Sequence, residues 1–456
     1  MQMTYSEAIK YLYARGHELE TMNLGLARIQ ALTEAADLPQ HRFPAVLIAG
    51  TNGKGSTAAM TFAMARAAGL RVGLYTSPHL VEITERFRLF EPGGDTRDIS
   101  QAEFAHYATE VRVLGEQLLA AGKLRSVPSL FEQLTMLAFL YFADKEVELA
   151  VLEVGLGGRL DATNVSAPVV TAITPIDYDH QRHLGNTLTE IAGEKAGIIK
   201  PHTPLIVAPQ KREVMQVITA RARALAAPII AVEEKLRAAR SFQVDKDFSV
   251  PSLSQPGACR LRYSSRRAAY DARLSLRGGH QVLNALTALH IAETLAEAGF
   301  GITPAAIEQG LQQTDWPGRL EWIRLPQGSA PLLLDGAHNP AGARVVRKFL
   351  EDFCAHRSVT IVFGAMSDKP FGEMEEILFP AAQRFITAHV DNPRAAQAHE
   401  LAQLAEKYGA RVLEAESVLE ALRLAQQVTP PRGVICACGS LYLVGEIKQL
   451  LKGGKL

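Results

Sequence analysis

Residues 46–56 read V-L-I-A-G-T-N-G-K-G-S, an apolar run that ends in a glycine-rich turn carrying one lysine and one serine. Residues 57–68, which follow the turn, are mostly Ala, Met and Phe and predict a helix. A strand, a glycine-rich turn and a helix form a layout that binds phosphate, because free backbone N–H groups and the helix dipole favour an anion. Lys54 adds a positive charge suited to the β- and γ-phosphates of a nucleotide. This stretch therefore predicts a phosphate-binding loop.

The loop departs from the strict Walker A pattern at two places. Ile48 stands where that pattern has a glycine, six residues before the lysine, and Gly55 separates Lys54 from Ser56. An ordinary strand-to-helix turn, with glycine at positive φ, is therefore the alternative. The coincidence of an apolar strand, three glycines, a lysine and a helix favours nucleotide binding.

The composition is typical of a soluble protein with more than one domain. A chain of 456 residues is expected to form two or three domains, and a hydrophobic fraction of 47% allows large cores. Lys and Arg (48) balance Asp and Glu (48), which gives no general electrostatic reason to expect nucleic-acid or membrane binding. The chain has four cysteines, no signal-peptide core and no run of about 18 apolar residues, and these features predict a cytoplasmic protein.

Short apolar runs alternate with helical patterns through the first part of the chain, which predicts an α/β fold with a mostly parallel, doubly wound sheet. Strands are expected at residues 46–49, 72–75, 149–154, 169–173 and 205–208, with helical segments at 133–142 and 191–196. Residues 233–275 are basic and alternate like short antiparallel strands. A long helix is expected at 279–299, and Thr303 followed by Pro304 predicts the start of another.

The W-P-G-R sequence at residues 316–319 interrupts this pattern and predicts a boundary between a domain of residues 1–315 and a domain of residues 316–456. A second α/β alternation follows and predicts a smaller Rossmann-like domain. Its strands are expected at residues 332–334, 359–363, 384–388 and 434–437, and its helices at 341–353, 401–408 and 441–451.

Several polar residues lie where strands or helices end. Glu153 ends a buried strand, and a carboxylate there, beside a nucleotide loop, favours Mg²⁺ binding over a solvent-exposed acid. His180 by itself is typical of a loop histidine, because Mg²⁺ prefers oxygen ligands. Lys195 suits the C-terminus of a helix, and Asp335 with His338 suits a helix cap and a turn.

Eight segments together resemble the folylpolyglutamate synthase family, specifically its bacterial type that also has dihydrofolate synthase activity. They read G-T-N-G-K-G-S (50–56), T-S-P-H-L (76–80), L-E-V-G-L-G-G-R-L-D-A-T-N (152–164), D-Y-D-H-Q-R-H-L-G (177–185), G-E-K-A-G-I-I-K (193–200), W-P-G-R-L-E (316–321), D-G-A-H-N-P (335–340) and G-S-L-Y-L-V-G-E (439–446). They occur in the order found in the family and cover almost the whole chain. Single segments recur in the related Mur ligases, but the full set is specific.

The resemblance implies an ATP site and a metal site. ATP would be bound by Thr51, Asn52, Gly53, Lys54, Gly55, Ser56, Asn284, Arg319 and Asp335, with His338 near the γ-phosphate. Ser77 and Glu153 would bind one Mg²⁺, and Glu153 with His180 a second. Lys195 matches a lysine that is carboxylated in the family. The catalytic set implied by the resemblance is thus Lys54, Glu153, His180, Lys195 and His338.

The resemblance also implies a pteroate site, formed by Asn23, Leu24, Gly25, Ser129, Leu130, Phe131, Glu132, Leu160, Asp161 and Ala162. The bifunctional pattern has Asp in place of Asn23 and Thr in place of Ser129. Both replacements keep a hydrogen-bonding side chain.

The implied activity is ATP-dependent addition of L-glutamate to dihydropteroate, to tetrahydrofolate or to both, through an acyl phosphate, by a monomer acting on small molecules. The alternative within the family is a synthase that acts on tetrahydrofolate alone. A Mur-type cell-wall ligase would need an extra N-terminal domain, and 49 residues before Gly50 leave no room for it. A non-catalytic nucleotide-binding module would not need Glu153, His180 and Lys195 together.

Overall fold

A computed structural model describes residues 2–14, 25–237, 241–246, 257–325, 328–406 and 412–455. In this part of the chain the first sheet has eight strands. In chain order they are Ala45–Ala49 (β1), Val72–Tyr75 (β2), Phe87–Phe90 (β3), Arg97–Asp98 (β4), Leu149–Glu153 (β5), Pro168–Ile173 (β6), Leu205–Val207 (β7) and Ile229–Ala231 (β8). The spatial order is β4-β3-β2-β5-β1-β6-β7-β8, and pairing is parallel except at β2–β3 and β3–β4. The prediction of a mostly parallel sheet is therefore confirmed.

Helices cover both faces of this sheet. They are Tyr5–Tyr13 (α1), Ala27–Ala35 (α2), Lys54–Ala67 (α3), Gln101–Ala120 (α4), Leu130–Asp144 (α5), Gln181–Leu184 (α6), Leu188–Lys195 (α7), Arg212–Ala224 (α8) and Val232–Arg237 (α9). Side chains alternate across β1, so Leu47 joins the core on one face while Val46 and Ile48 join the core on the other. Burial on both faces explains why β1 and β5 are continuous apolar runs up to Glu153.

A small antiparallel sheet packs beside the first one. It consists of Ser241–Lys246 (β9), Cys259–Ser264 (β10) and Ala269–Leu274 (β11), in the order β11-β10-β9. The prediction of antiparallel strands is confirmed there, but it was wrong for residues 233–237, which belong to α9. Early glutamates and late basic residues in α9 match the helix dipole. Two helices, His280–Glu297 (α10) and Pro304–Gln313 (α11), then pack on α3, and Thr303 caps α11 as predicted.

The second large sheet has six strands within the described residues. They are Glu321–Ile323 (β12), Leu332–Leu334 (β13), Val359–Phe363 (β14), Arg384–Ala388 (β15), Val412–Ala415 (β16) and Val434–Cys438 (β17), in the order β12-β13-β17-β14-β15-β16. Its helices are Pro340–Cys354 (α12), Phe371–Leu378 (α13), Ala398–Glu406 (α14), Val418–Val428 (α15) and Leu441–Lys452 (α16). Pairing is parallel except between β12 and β13, so the smaller Rossmann-like sheet is confirmed. A domain division between residues 315 and 316 remains a prediction.

The carboxyl ends of parallel strands are where ligands bind in α/β sheets. The loops after β1, β2, β5 and β6 and the loops after β13 and β14 border one common cavity. None of the helices in the described ranges has the length and apolar character needed to span a membrane.

Candidate active site

A cavity of about 640 Å³ brings together every predicted site residue that the structure describes. These residues are Gly25, Thr51, Asn52, Gly53, Lys54, Gly55, Ser56, Ser77, Ser129, Leu130, Phe131, Glu132, Glu153, Leu160, Asp161, Ala162, His180, Lys195, Asn284, Arg319, Asp335 and His338. The other two predictions, Asn23 and Leu24, lie outside the described residues. Their presence in one cavity does not test the role predicted for each residue, so these roles remain predictions.

The glycine-rich loop leads directly into α3, which begins at Lys54. Gly53 precedes it at φ +89°, a conformation that favours glycine, and a Cβ there would collide with the side chain of Asn284. The N–H groups of Thr51 and Asn52 both donate to the carbonyl oxygen of Pro175, at 3.0 and 3.2 Å. The amides suited to a phosphate are therefore those from Gly53 onward, because the first amides of a helix have no acceptor within it.

Helix α10 supports the loop from the side. Gln281 donates from Nε2 to Oγ of Ser56 at 3.3 Å, and Asn284 donates from Nδ2 to Oε1 of Gln281 at 2.9 Å. All three side chains are buried. Sequence reasoning found Asn284 through the resemblance but missed Gln281. The sequence did contain a signal for Gln281, because it lies one helical turn before Asn284 and therefore on the same face of the helix.

Glu153 lies at the end of β5 and is 5% exposed. The N–H of Ser77 donates to its Oε2 at 3.2 Å. Burial raises the pKa of Glu153, and the nearby charge of Lys54 opposes that shift. The oxygen atoms of Glu153 and Ser77 are the kind of donor that Mg²⁺ prefers.

No set of three or more His, Cys, Asp or Glu side chains in the described ranges is arranged to hold a metal ion by itself. Mg²⁺ usually takes one or two carboxylates together with waters and substrate phosphates, so a site at Glu153 fits such an ion only with a nucleotide present. The fit of His180 is poorer, because its Nε2 lies 3.4 Å from the ammonium of Lys369. Burial lowers the pKa of His180 to about 3.

Lys195 ends α7 and is almost completely buried, although it lines the cavity. Its side chain is 4% exposed in total, and Nζ donates to the carbonyl oxygen of Gly50 at 2.8 Å. Burial, with the nearby charge of Lys54, lowers the pKa of Lys195 to about 7. An amine with this pKa is substantially neutral at physiological pH, unlike the surface lysine that the helix terminus alone suggested.

The C-terminal wall of the cavity is formed by the turn between β13 and α12. Asp335 accepts from the N–H groups of Leu320 and Ala337, each at 2.9 Å. Burial raises the pKa of Asp335, and Arg319 opposes the shift. The interpretation of Asp335 as a helix cap was wrong, because Asn339 caps α12 by accepting from the N–H of Gly342 at 2.8 Å.

The predicted pteroate residues have local structural roles as well. Ser129 caps α5 in a reciprocal pair with Glu132, and Arg28 donates to Oε2 of Glu132 at 2.9 Å. The other carboxylate oxygen of Glu132 is buried without a hydrogen-bond partner among the described residues. Asp161 accepts from the N–H groups of Leu156 and Thr163 and is held in place.

Sequence reasoning missed Asp179 and Lys369 as cavity residues. Lys369 donates from Nζ to Oδ1 of Asp179 at 2.7 Å, and both side chains are less than one-tenth exposed. Burial alone would raise the pKa of Asp179, but the hydrogen bond with His338 and the charges around it hold that pKa well below its usual range. Asp179 lies in the D-Y-D-H segment and could have been considered. Lys369 follows a strand in a loop without any local pattern.

Comparison with known families identifies the class of protein that this fold and cavity define. Residues 48–292 match the family described as the Mur ligase middle domain, and residues 318–441 match the Mur ligase glutamate ligase domain. The chain belongs to the Mur ligase family, and it is an ATP-dependent ligase.

Its relatives narrow the class further. The chain is 34% identical over 431 residues to the dihydrofolate synthase/folylpolyglutamate synthase of Bacillus subtilis, which covers 94% of this chain and 95% of that protein. It is 36% identical over 419 residues to the protein of the same name from Mycobacterium tuberculosis, with coverages of 88% and 82%. The resemblance found in the sequence is therefore confirmed.

Solved structures agree with the fold. Mycobacterium tuberculosis folylpolyglutamate synthase complexed with ADP matches with a TM-score of 0.84 and 31% identity, over 98% of both chains. FolC of E. coli in complex with DHPP and ADP matches with a TM-score of 0.82 and 25% identity, over 100% of this chain and 99% of that one.

Proposed function

We propose that the cavity binds ATP, a pteroate or folate carboxylate and L-glutamate, and joins the last two by an amide bond. The observation that supports this most directly is the convergence of the glycine-rich loop, the buried Glu153 and the turn carrying His338 on one cavity. A non-catalytic nucleotide module would need the loop alone. The relatives bear the same activities in their names, and one solved neighbour holds DHPP with ADP.

The chemistry follows from the poor reactivity of a carboxylate. An oxygen of the substrate carboxylate attacks the γ-phosphorus of ATP, the bond to the β-phosphate oxygen breaks, and an acyl phosphate and ADP form. The amino group of L-glutamate then attacks the acyl carbon, loses a proton, and phosphate leaves. The protein contributes positioning and charge stabilisation in this scheme.

Specific residues suit these tasks. The amides from Gly53 onward and the ammonium of Lys54 would bind the phosphates, while Arg319 and His338, which line the cavity from its C-terminal wall, would contact the nucleotide from the other side. Glu153 and Ser77 would hold Mg²⁺, which neutralises phosphate charge. His180 is proposed as a second metal contact only after its ring separates from Lys369. Retention of full activity with excess chelator would contradict the magnesium proposal.

We also propose that the side-chain nitrogen of Lys195 is carboxylated and forms a carbamate. A neutral amine is the form that reacts with carbon dioxide, and the lowered pKa of Lys195 makes that form available. The resulting anion would lie near Lys54, whose charge contributes to lowering the pKa of Lys195. Carbon-13 NMR after equilibration with labelled bicarbonate tests this proposal. A carbamate signal is expected in the wild type and not in Lys195→Arg, and its absence in both would contradict it.

The choice of folate substrate is tested by phosphate release. Purified protein is given MgATP and L-glutamate with either dihydropteroate or tetrahydrofolate. Release with both is expected for a bifunctional enzyme, and release with tetrahydrofolate alone would favour the monofunctional alternative. Release with neither would contradict the proposed function.

The proposed working form is a cytoplasmic monomer. All four cysteines are free and buried, as suits a reducing compartment. Light scattering at assay concentration tests the oligomeric state, and a dimer mass would contradict this part of the proposal.

A further inference from the structure

Asp179 connects the two parts of the chain across the cavity. We call residues 1–315 the N-terminal region and residues 316–456 the C-terminal region. The side chain of Asp179 is 8% exposed, and its Oδ1 accepts from Nζ of Lys369 at 2.7 Å. Its Oδ2 accepts from Nδ2 of Asn339 at 3.3 Å and lies 3.5 Å from Nε2 of His338. One carboxylate of the N-terminal region thus contacts three side chains of the C-terminal region.

The same segment is tied to the nucleotide loop. The hydroxyl of Thr51 donates to the carbonyl oxygen of Asp177 at 3.0 Å, and the N–H of Asp177 donates back to that hydroxyl at 3.1 Å. Asn339 also donates to Oδ1 of Asn52 at 3.1 Å. The position of Asp179 is therefore fixed relative to the loop, and the C-terminal side chains that it contacts are fixed with it.

The carboxylate of Asp179 stabilises the buried positive charge of Lys369. Its side chain is 9% exposed, and besides Asp179 it contacts the imidazole of His180 at 3.4 Å. A buried ammonium that loses its carboxylate partner is strongly destabilised. Without Asp179, Lys369 would be expected to leave the cavity and to take the adjoining loop with it.

We infer that Asp179 is a positioning residue for the ligation, which holds His338, Asn339 and Lys369 of the C-terminal region against the nucleotide loop. The inference rests on the proposed function. Asp179 acts here through those side chains and does not itself contact a substrate. Its removal should impair the step that needs both regions together, while nucleotide binding by the N-terminal region is retained.

Asp179→Asn keeps the size of the side chain and removes the charge that pairs with Lys369. Its kcat is expected to fall about 100-fold, as a misplaced reacting group would cause. The Kd of AMPPCP should change much less than kcat, because the glycine-rich loop and Lys54 are left intact. Lys369→Met should have a similar effect, and the double variant should be no slower than the slower single variant, because the two residues act as a unit. Lys369→Met carries the test alone should Asp179→Asn not fold.

A matched control is available at the neighbouring acid. Arg344 lies 3.7 Å from Asp177 across the same interface, but its side chain is 60% exposed, so Arg344→Met should leave kcat unchanged. Solution scattering with AMPPCP adds a readout that does not depend on turnover. Asp179→Asn should show a larger radius of gyration than the wild type, and Arg344→Met should not.

Three results would overturn the inference. The first is an unchanged kcat in Asp179→Asn. The second is an AMPPCP affinity that falls in Asp179→Asn by as large a factor as kcat does. The third is a kcat in the double variant that is lowered by the product of the two single-variant factors. If the wild-type enzyme shows no turnover with any of the folate substrates, the proposed function fails. The scattering comparison then tests the positioning role by itself, and an unchanged radius of gyration in Asp179→Asn would overturn that role.

Discussion

The two walls of the cavity are held in place differently. The nucleotide wall, formed by residues 53–56, Glu153 and Lys195, is built at the carboxyl ends of two central strands, β1 and β5, and at the end of the helix α7. The ligase wall, formed by His338, Asn339 and Lys369, reaches the same cavity from a second sheet. In the nucleotide wall, Ile48 of β1 pairs with Glu153 of β5, which places the acid beside the start of the loop. The ligase wall is joined to that wall chiefly by Asp179 and by Asn52.

The difference separates binding from ligation. A wall built on neighbouring strands is preorganised by the backbone, so nucleotide binding should survive most changes elsewhere. A wall that depends on contacts between two regions can open and close, and such steps gate many enzymes. Changes in the nucleotide wall should thus affect both affinity and rate, while changes at the interface should affect mainly rate.

The largest effect is expected for Lys54→Met. The loss of the only proposed side-chain charge on the loop should lower kcat/KM for ATP by about 100- to 1,000-fold, the range seen when a transition-state charge contact is removed. AMPPCP affinity should fall as well, unlike in the interface variants. Steady-state phosphate release and calorimetry measure the two effects. Lys10→Met, at an exposed site in α1 that does not line the cavity, serves as the control, and equal kinetics for both variants would contradict the comparison.

A smaller effect is expected for Gly445→Ala. Gly445 lies inside α16, and a Cβ there would collide with the carbonyl oxygen of Leu80, which belongs to the T-S-P-H-L loop of the N-terminal region. Alanine favours a helix more than glycine does, so the collision with Leu80 of the other region opposes a substitution that helix propensity favours. The expected result is a fall in kcat of about tenfold from the shifted ligase wall, with AMPPCP affinity retained.

Gly115→Ala is the matched control for that variant. Gly115 is also within a helix, α4, and its nearest atom to a new Cβ is Cδ of Pro128 at 3.8 Å, an ordinary contact. Its kcat should equal that of the wild type. A Gly445→Ala enzyme that is as active as Gly115→Ala would show that the contact at Leu80 does not set the ligase wall.

The smallest effect is expected for a substitution of Glu375, a residue outside both walls, and it concerns only the free energy of unfolding. Glu375 of α13 is fully buried, and neither carboxylate oxygen has a hydrogen-bond partner among the described residues. Burial raises the pKa of Glu375 from its ordinary 4.5 to about 8. Because the folded state holds this proton and the unfolded state releases it, wild-type stability should fall as pH rises from 4.5 to 8.

Glu375→Met removes that dependence. The variant should be more stable than the wild type by about 1 kcal/mol or more at pH 8, and by less at pH 5. Urea unfolding at the two pH values measures the difference, while kcat should be unchanged because Glu375 does not line the cavity. A stability gain that does not grow with pH would contradict the shifted pKa.

Local sequence patterns were enough to predict much of the nucleotide wall. Residues 46–56 show a strand, a turn and a helix start within one short segment, and Glu153 ends an apolar run. Both are local signals, because strand burial and helix initiation depend on neighbours in sequence. The roles of Lys195 and His180 came from family resemblance, since the residue types alone favoured ordinary structural roles.

The sequence by itself determined the α/β class, the approximate positions of the main strands along the chain and the position of the phosphate-binding loop, since each depends on periodicity and on glycine at fixed places. Tertiary structure decided which polar residues are buried together. Asp179 and Lys369 are 190 residues apart, yet they form an ion pair at 2.7 Å. Lys195 has a lowered pKa because folding buries it beside the charge of Lys54. Burial and long-range pairing depend on how the two sheets meet, and no short stretch of sequence encodes that arrangement.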